Sequence, residues 1–193
     1  MDDFFIGFLG LLRERLGGDI EIGNPKTINR KPYIPHVEGI AFTHEGEPDG
    51  FRGIKWNTDI KTIPNIDYVE RYPYPGPNKC VIKGERLEIG DAKLKVVNYL
   101  FWEDKLYAVG ISAPGFQNYT ELRKVIFAKY GENKLEVEQN TSCYKWNGDK
   151  VTAFLGFREE SNEGVLLLGL SNIFKKVNEF KEQKIKKAVE TDL

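Results

Sequence analysis

A chain of 193 residues is near the upper end of one ordinary domain, which buries roughly 70% of its unfolded surface in a single core. A hydrophobic fraction of 40%, with twelve Phe, nine Tyr and three Trp, excludes a wholly disordered chain. Lys and Arg total 28 against 29 Asp and Glu, so a formal net charge of -1 provides no overall field to attract nucleic acid or an anionic membrane.

An apolar stripe runs through the first sixteen residues and predicts a helix over 3–16, ended by Gly17 and Gly18. The stripe consists of Phe5, Phe8, Leu9 and Leu12. Two leading acids argue against a secretory signal, and the segment is too short to span a bilayer. We therefore predict a cytoplasmic protein without a transmembrane segment. The stripe is expected to pack on the chain's own core, as such stripes usually do, with another subunit or a membrane interface as alternatives. The lack of a basic cluster on the polar face argues against the membrane.

Residues 19–53 are rich in Gly, Pro, Asn and charge, which predicts an extended arm. We divide the chain into an N-terminal helix and arm, 1–50, and a single α+β domain, 51–193. The domain begins with a short strand at 51–56, followed by one helical turn that Asn57 or Thr58 caps and Pro64 ends. Ile60 and Ile63 form the buried side of that turn.

The segment 68–77 contains three prolines, which favour a polyproline-like loop or a sheet edge. Strands are then predicted at 80–83, 86–89, 94–102 and 106–112, with hairpin turns at 84–85, 90–91 and 103–104. The third of these strands is predicted to be central, because Val97, Tyr99 and Phe101 share one face while Leu94 and Val96 lie on the other.

Residues Asn118 to Glu121 form a capping-box pattern that predicts a helix start, and Gly131 is placed to end that helix. Strands follow at 135–139, 141–146, 151–157 and 165–171. Asn147 and Gly148 predict a hairpin, because both residue types accept positive φ. The chain then ends in a helix from Asn172, whose predicted inner positions are Phe174, Val177, Phe180 and Ile185.

This order predicts an α+β fold: an antiparallel β-sheet meander with helices packed on one face. The segments 102–108 and 146–153 each contain a Trp, an acidic turn and a Lys. This similarity between the two segments is compatible with an internal β-β-β-α duplication and also with two unrelated hairpins. Cys80 and Cys143 lie in predicted strands and are expected to be reduced, unless their strands are neighbours.

Three motifs mark a resemblance over residues 51–171. They are Phe51-x-Gly53-Ile54-x-Trp56-x-Thr58, Tyr99-x-Phe101-x-x-x-Lys105-Leu106-Tyr107-x-Val109, and Lys129-Tyr130-Gly131. This pattern resembles a group of small bacterial proteins of unknown function. At the level of the fold, it is similar to β-lactamase-inhibitor-like modules. The resemblance implies an α+β sheet with helices on one side, and it provides no catalytic residues to carry over to this chain.

The sequence contains few groups for catalysis or metal binding. His36 and His44 lie among carboxylates, but their spacing matches no arrangement that fixes ligand geometry, so no metal or cofactor is expected. No nucleophile motif surrounds Ser112, Ser142, Cys80 or Cys143. Glu103 and Asp104, adjacent at a hairpin tip, are expected to be solvated rather than to act as an acid-base pair.

Aromatic residues are the remaining candidates for a functional surface. The strands that carry Tyr99, Phe101, Trp102 and Tyr107 have too few basic residues to follow a phosphate backbone, so nucleic-acid binding is not expected. A stiff proline-rich loop that displays tyrosines binds grooves at low entropic cost, although it also blunts a sheet edge. The candidate binding residues are Tyr72, Tyr74, Trp102 and Tyr107.

Three functions remain open. The favoured hypothesis is a non-enzymatic binding or interaction module, which uses an aromatic sheet face or the proline-rich loop to contact a protein partner or a second copy of the chain. The alternatives are an enzyme that uses dispersed acids with His36 or His44, and a membrane-peripheral protein that binds through its N-terminal stripe.

Overall fold

The computed structural model describes residues 39–43, 46–138 and 141–192. The predicted helix at 3–16, His36 and His44 lie outside these residues. The strands in chain order are β1 (Gly50–Phe51), β2 (Ile54–Lys55), β3 (Ile66–Arg71), β4 (Pro77–Ile82), β5 (Glu88–Ile89), β6 (Ala92–Lys93), β7 (Val96–Trp102), β8 (Lys105–Pro114), β9 (Glu136–Glu138), β10 (Thr141–Asn147), β11 (Val151–Arg158) and β12 (Glu163–Leu170). A 3₁₀ helix spans Ile60–Thr62, and the α-helices are α1 (Gly115–Tyr130) and α2 (Ser171–Asp192).

Eight strands form one antiparallel sheet in the order β3-β4-β7-β8-β12-β11-β10-β9. The predicted fold class, an α+β antiparallel sheet with packed helices, is confirmed, and β7 lies in the interior of the sheet as expected. Each half of the chain forms a four-stranded meander followed by a helix, and the two meanders meet where β8 pairs with β12. This order agrees with a repeated unit, although each unit has four strands where three were predicted. The duplication itself stays a prediction.

Helix α1 packs on one face of the sheet through Leu122 and Ile126, which are buried. Gly164 of β12 faces the helix, and a Cβ at this position would lie 2.6 Å from the Cβ of Tyr119. The close approach of helix and sheet therefore requires a glycine, which has no side chain, at position 164. The hairpin β5–β6 also contacts α1, because the Lys93 amide donates to the Asn118 side chain, 2.8 Å away.

The position of helix α2 differs from the expected arrangement, in which both helices pack on the same face of the sheet. Its Phe174 and Phe180 contact Tyr107 and Trp102, with ring centroids 5.5 and 5.6 Å apart. Successive residues of a strand point to opposite faces, so Trp102, three positions after Tyr99, lies on the face opposite to Tyr99, whose side chain points to the α1 side. Helix α2 thus contacts the other face at one end of the sheet.

Part of the predicted arm belongs to the folded domain. The Ile40 amide donates to the Lys145 carbonyl at 2.9 Å, and Ile40 forms a parallel bridge with Trp146. The ring of Phe42 lies 5.1 Å from that of Tyr130. The carboxylate of Glu47 accepts backbone hydrogen bonds from residues 149–151, at the turn between β10 and β11.

Two expectations for the first part of the domain were wrong. The predicted strand at 51–56 is a tight hairpin, since Arg52 and Gly53 have positive φ angles of 49° and 80° and reverse the chain. The helical turn is capped by Asp59, whose carboxylate accepts from the Lys61 amide at 2.9 Å, and not by Asn57 or Thr58. Ile60 and Ile63 are buried as expected. In addition, only Glu88–Ile89 of the predicted strand 86–89 is extended.

The predicted capping box was also wrong. Helix α1 begins at Gly115, after Pro114, and the Asn118 side chain donates to the Pro114 carbonyl at 2.8 Å. Glu121 pairs with Lys124 along the helix rather than reaching back to its start. The predicted end is confirmed, because Gly131 has a φ of 98° and donates its amide to the Phe127 carbonyl.

Two details of the second half also differ. The hairpin at Asn147 and Gly148 exists, but neither residue has the positive φ that was expected, because the turn extends over four residues up to Val151. Ile185, predicted to face inwards from the last helix, is 64% exposed, whereas Phe174 and Val177 are buried.

The two cysteines carry thiols rather than a disulfide, as expected. Cys80 of β4 pairs with Tyr99, and its side chain shares the face that α1 covers. Cys143 of β10 pairs with Gly156 and points to the opposite face. Four strands separate β4 from β10, so the two thiols cannot meet.

Candidate binding surface

The proline-rich loop connects β3 and β4 at one edge of the sheet. The Asn78 side chain accepts a hydrogen bond from the Tyr72 amide at 3.2 Å and closes the base of the loop. Gly76 lies inside the turn, where a Cβ would be 2.6 Å from the Pro73 carbonyl oxygen. The Tyr74–Pro75 peptide is cis. The hydrogen bond to Asn78 and the position of Gly76 make the loop a compact element of the sheet edge.

Helix α2 packs against the loop through Phe180 and Lys184. The Phe180 ring lies edge-on between Tyr72 and Trp102, with centroid distances of 6.3 and 5.6 Å. The Lys184 ammonium lies 4.4 Å from the centre of the Tyr72 ring, within the range of a cation–π interaction. These contacts hold the ring of Tyr72 against helix α2.

Exposed side chains lie along this edge strand and its loop, with Tyr68 on the α1 face of the sheet and Tyr72 on the face that α2 contacts. Tyr74 at the tip of the loop is 74% exposed, and Tyr68 and Val69 of β3 are 42% and 40% exposed. We call these three residues, together with Tyr72 and Lys184, the proline-loop surface. Large apolar side chains left in water at a sheet edge are typical of an interaction site.

The charges beneath this surface are paired. Lys79 is almost fully buried and forms an ion pair with Glu70, with an N–O distance of 2.9 Å. The Arg71 guanidinium lies 4.8 Å from the centre of the Tyr68 ring. Desolvation raises the pKa of Tyr68, and the charge of Arg71 partly opposes this effect. The phenol is therefore neutral at physiological pH and can both donate and accept a hydrogen bond.

The structure brings together two of the four predicted binding residues, Tyr72 and Trp102, which both contact Phe180. Tyr74 lies in the same loop as Tyr72 and is exposed to solvent. Tyr107 is 1% exposed and packs on Phe174, and burial raises its pKa, so it is a core residue rather than part of a surface. Sequence reasoning missed Tyr68, Val69, Phe180 and Lys184 as contributors. The signal available for Tyr68 was its position in an alternating segment directly before a proline-rich loop.

The candidate catalytic groups are dispersed in the described part of the chain. Burial raises the pKa of the Cys80 thiol to about 11, with Arg71 acting in the opposite direction, so the thiol is not an activated nucleophile. Glu103 and Asp104 form the hairpin turn between β7 and β8. Among the described residues, no three His, Cys, Asp or Glu side chains converge in a metal-binding group.

A separate cleft of about 350 Å³ lies beside the β1–β2 hairpin and the last turn of α1. Its walls carry both acids and bases, including Glu47, Asp49, Arg52 and Lys129. Arg52 and Glu47 already bond to Glu85 and to the turn at 149–151. Two of the charged groups of this cleft therefore make contacts that stabilise the fold.

Comparison with protein-family models, curated proteins and solved structures finds no match to this chain. The resemblance to β-lactamase-inhibitor-like modules thus stays a prediction. No helix among the described residues is long and apolar enough to cross a membrane.

Proposed function

We propose that the protein is a non-enzymatic interaction module that binds a protein partner through the proline-loop surface. The observation that carries this proposal is the exposure of Tyr74, Tyr68 and Val69 at one edge of the sheet, where α2 contacts the proline-rich loop. An aromatic side chain with a polar tip provides a large contact area at low entropic cost.

The ordered loop supports this function because a preorganised surface loses little conformational freedom on binding. Tyr72 is held by Lys184 and Phe180, and Asn78 closes the loop. A partner with an apolar groove and acidic rim fits best, since Lys184 and Arg71 flank the tyrosines. Shape complementarity would come from Tyr74, and the surrounding charges would set orientation.

Photo-crosslinking tests the proposal directly. A photoreactive phenylalanine analogue is placed at position 74, and a matched control analogue replaces Leu87, which is 41% exposed and lies away from the loop. We expect a discrete crosslinked protein at position 74 and none at position 87. The purified partner should bind the unmodified chain saturably and bind the Tyr74→Ala and Tyr68→Ala variants at least about tenfold more weakly, as for a contact worth about 1.4 kcal/mol.

Equal crosslinking at positions 74 and 87 would indicate non-specific contact and contradict the proposal. The same conclusion follows if Tyr74→Ala and Tyr68→Ala both retain full affinity for the isolated partner. Circular dichroism of each variant serves as the folding control.

A further inference from the structure

Strand β3 forms one edge of the eight-stranded sheet, and it is longer than the strand at the other edge. It spans six residues, whereas β9 at the opposite edge spans three, of which two are Glu. Short, charged edge strands are a common protection against pairing with another chain. Strand β3 therefore offers the longer row of backbone groups to an added strand.

The backbone groups of two residues of β3 point away from the sheet. In an antiparallel pair, hydrogen-bonded positions alternate with positions whose N–H and C=O groups point to the other side. The Lys83 amide donates to the Asn65 carbonyl at 2.8 Å, and this register makes Asp67 the next hydrogen-bonded position of β3. The N–H and C=O groups of Ile66 and Tyr68 therefore point outwards, where no strand of the described sheet pairs with them.

A β-bulge determines which side chains lie beside these backbone groups. Tyr68 pairs with Cys80 and Arg71 pairs with Asn78, so three steps along β3 correspond to two along β4. The additional residue is Val69, and it brings Arg71 to the same face of the sheet as Tyr68. The Arg71 guanidinium lies 4.8 Å from the centre of the Tyr68 ring, and no carboxylate in the described part of the chain forms an ion pair with it.

A second copy of β3 fits this edge poorly. The antiparallel register that uses both outward positions pairs Ile66 of one copy with Tyr68 of the other, and it places the two Asp67 side chains opposite each other. Like charges directly opposite destabilise a pair of strands. A segment that carries an acidic residue next to Arg71 is favoured instead, because its charge is complementary.

We propose that the partner of the proline-loop surface contributes an extended acidic segment, which adds to the sheet as a strand antiparallel to β3. The segment presents an acidic residue to Arg71, and its second and fourth residues after the acid are apolar and lie opposite Tyr68 and Ile66. Backbone hydrogen bonds to Ile66 and Tyr68 provide affinity, and the alternating side chains provide specificity. This inference rests on the proposed function, since it describes how the same partner binds.

Synthetic peptides test strand addition without knowledge of the natural partner. The probe is acetyl-Thr-Glu-Thr-Val-Thr-Val-Thr-amide, and a matched peptide has Lys in place of Glu. A third peptide carries an N-methyl group on each Val, which removes its hydrogen-bond donors to β3 and keeps its side chains. Solvent exchange of individual amide hydrogens in the full chain, measured by NMR, reports where each peptide binds.

We expect the saturating Glu peptide to slow amide exchange at Ile66 and Tyr68 at least about tenfold, as for amides that enter a hydrogen-bonded ladder. Exchange at Asp67, whose amide faces β4, should stay unchanged. The Lys peptide should bind more weakly, and the N-methylated peptide should give no protection. No binding of the Glu peptide, or equal protection by the N-methylated peptide, would overturn the proposal.

The Arg71→Glu substitution tests the charge in the same assay. This variant should prefer the Lys peptide to the Glu peptide, and circular dichroism serves as its folding control. An unchanged preference would contradict the role of Arg71. Protection of Ile66 and Tyr68 without peptide, together with a dimer in sedimentation, would assign the edge to a second copy and also contradict the proposal.

Crosslinking at position 74 tests the proposed function separately. A partner that crosslinks there and leaves amide exchange at Ile66 and Tyr68 unchanged would refute strand addition and keep the proposed function. Crosslinking that does not differ between positions 74 and 87 would refute the proposed function itself, whatever the peptides show.

Discussion

The rings of Trp102 and Phe180 meet edge-on at 77°, with centroids 5.6 Å apart, and join α2 to the end of β7. Phe180 also contacts Tyr72 of the proline-rich loop. We therefore expect Phe180→Ala to destabilise the protein by about 2 kcal/mol, as for the loss of a half-buried aromatic side chain. Urea denaturation measures the change. Ile185→Ala on the same helix is the control. Because Ile185 is 64% exposed, this substitution should lower the free energy of unfolding much less.

The carboxylate of Glu47 stabilises the turn between β10 and β11 by accepting the amides of Asp149 and Lys150 at 2.9 and 2.6 Å, and that of Val151. Replacing Glu47 by Ala leaves these donors without their partner and should cost about 1–3 kcal/mol. Hydrogen exchange at residues 149–151 should accelerate as well. Asp49→Ala, a change at an exposed acid nearby, should leave both measurements unaltered.

Glu163 forms ion pairs with Lys95 and with Arg158, the second at 3.1 Å. Burial alone would raise the pKa of Glu163, but Lys95, Ser112 and Arg158 together lower it below the ordinary value. A lowered folded-state pKa means that the stabilisation is complete above the ordinary glutamate pKa of about 4.3 and disappears as pH falls through the folded-state pKa.

Glu163→Gln should therefore destabilise the protein at pH 7 by about 1–3 kcal/mol, the range for hydrogen bonds to a charged group. Denaturation midpoints of the variant and the parent should converge as pH falls below 4. A constant difference across the whole range would show that the charge of Glu163 does not stabilise the fold.

The hairpin between β7 and β8 contains backbone strain that can be relieved. Glu103 and Asp104 have φ angles of 50° and 59°, the left-handed values of a tight hairpin turn. Asn tolerates this region better than Glu, so Glu103→Asn should raise the free energy of unfolding by about 0.5–1 kcal/mol. Glu159→Asn, in a turn without positive φ at that residue, should give no such gain. Thermal melts distinguish the two variants.

Local patterns predicted most strands and the end of α1. Gly131 was recognisable because a glycine after a helical period accepts the φ of 98° found there. The start of α1 was missed because the Asn118 side chain bonds to Pro114 and to the Lys93 amide of a distant hairpin. A contact of this kind depends on tertiary structure, which a capping pattern does not contain.

The binding surface was only partly predictable for a similar reason. Tyr107 belongs to an alternating strand and was expected to share an aromatic face. In the pairing of β7 with β8, Leu100 lies opposite Ala108 and the next residue, Phe101, lies opposite Leu106. Tyr107 therefore has no partner in β7, and its ring contacts Phe174 instead. The exposure of Tyr68 follows from the position of β3 at the sheet edge, and strand order is not visible in one sequence.

The pairing of β8 with β12 also bears on how the chain folds. Every other neighbouring pair in the eight-stranded sheet joins strands within one half of the chain, whereas Pro114 pairs with Glu163 across 48 intervening residues. Local hairpins close quickly, and a long loop closes more slowly because more chain entropy is lost. Each meander can therefore form early, and docking of β8 on β12 becomes the slow step. Mutations at this seam, such as Gly169→Val, should slow folding more than equally destabilising mutations in the β10–β11 hairpin.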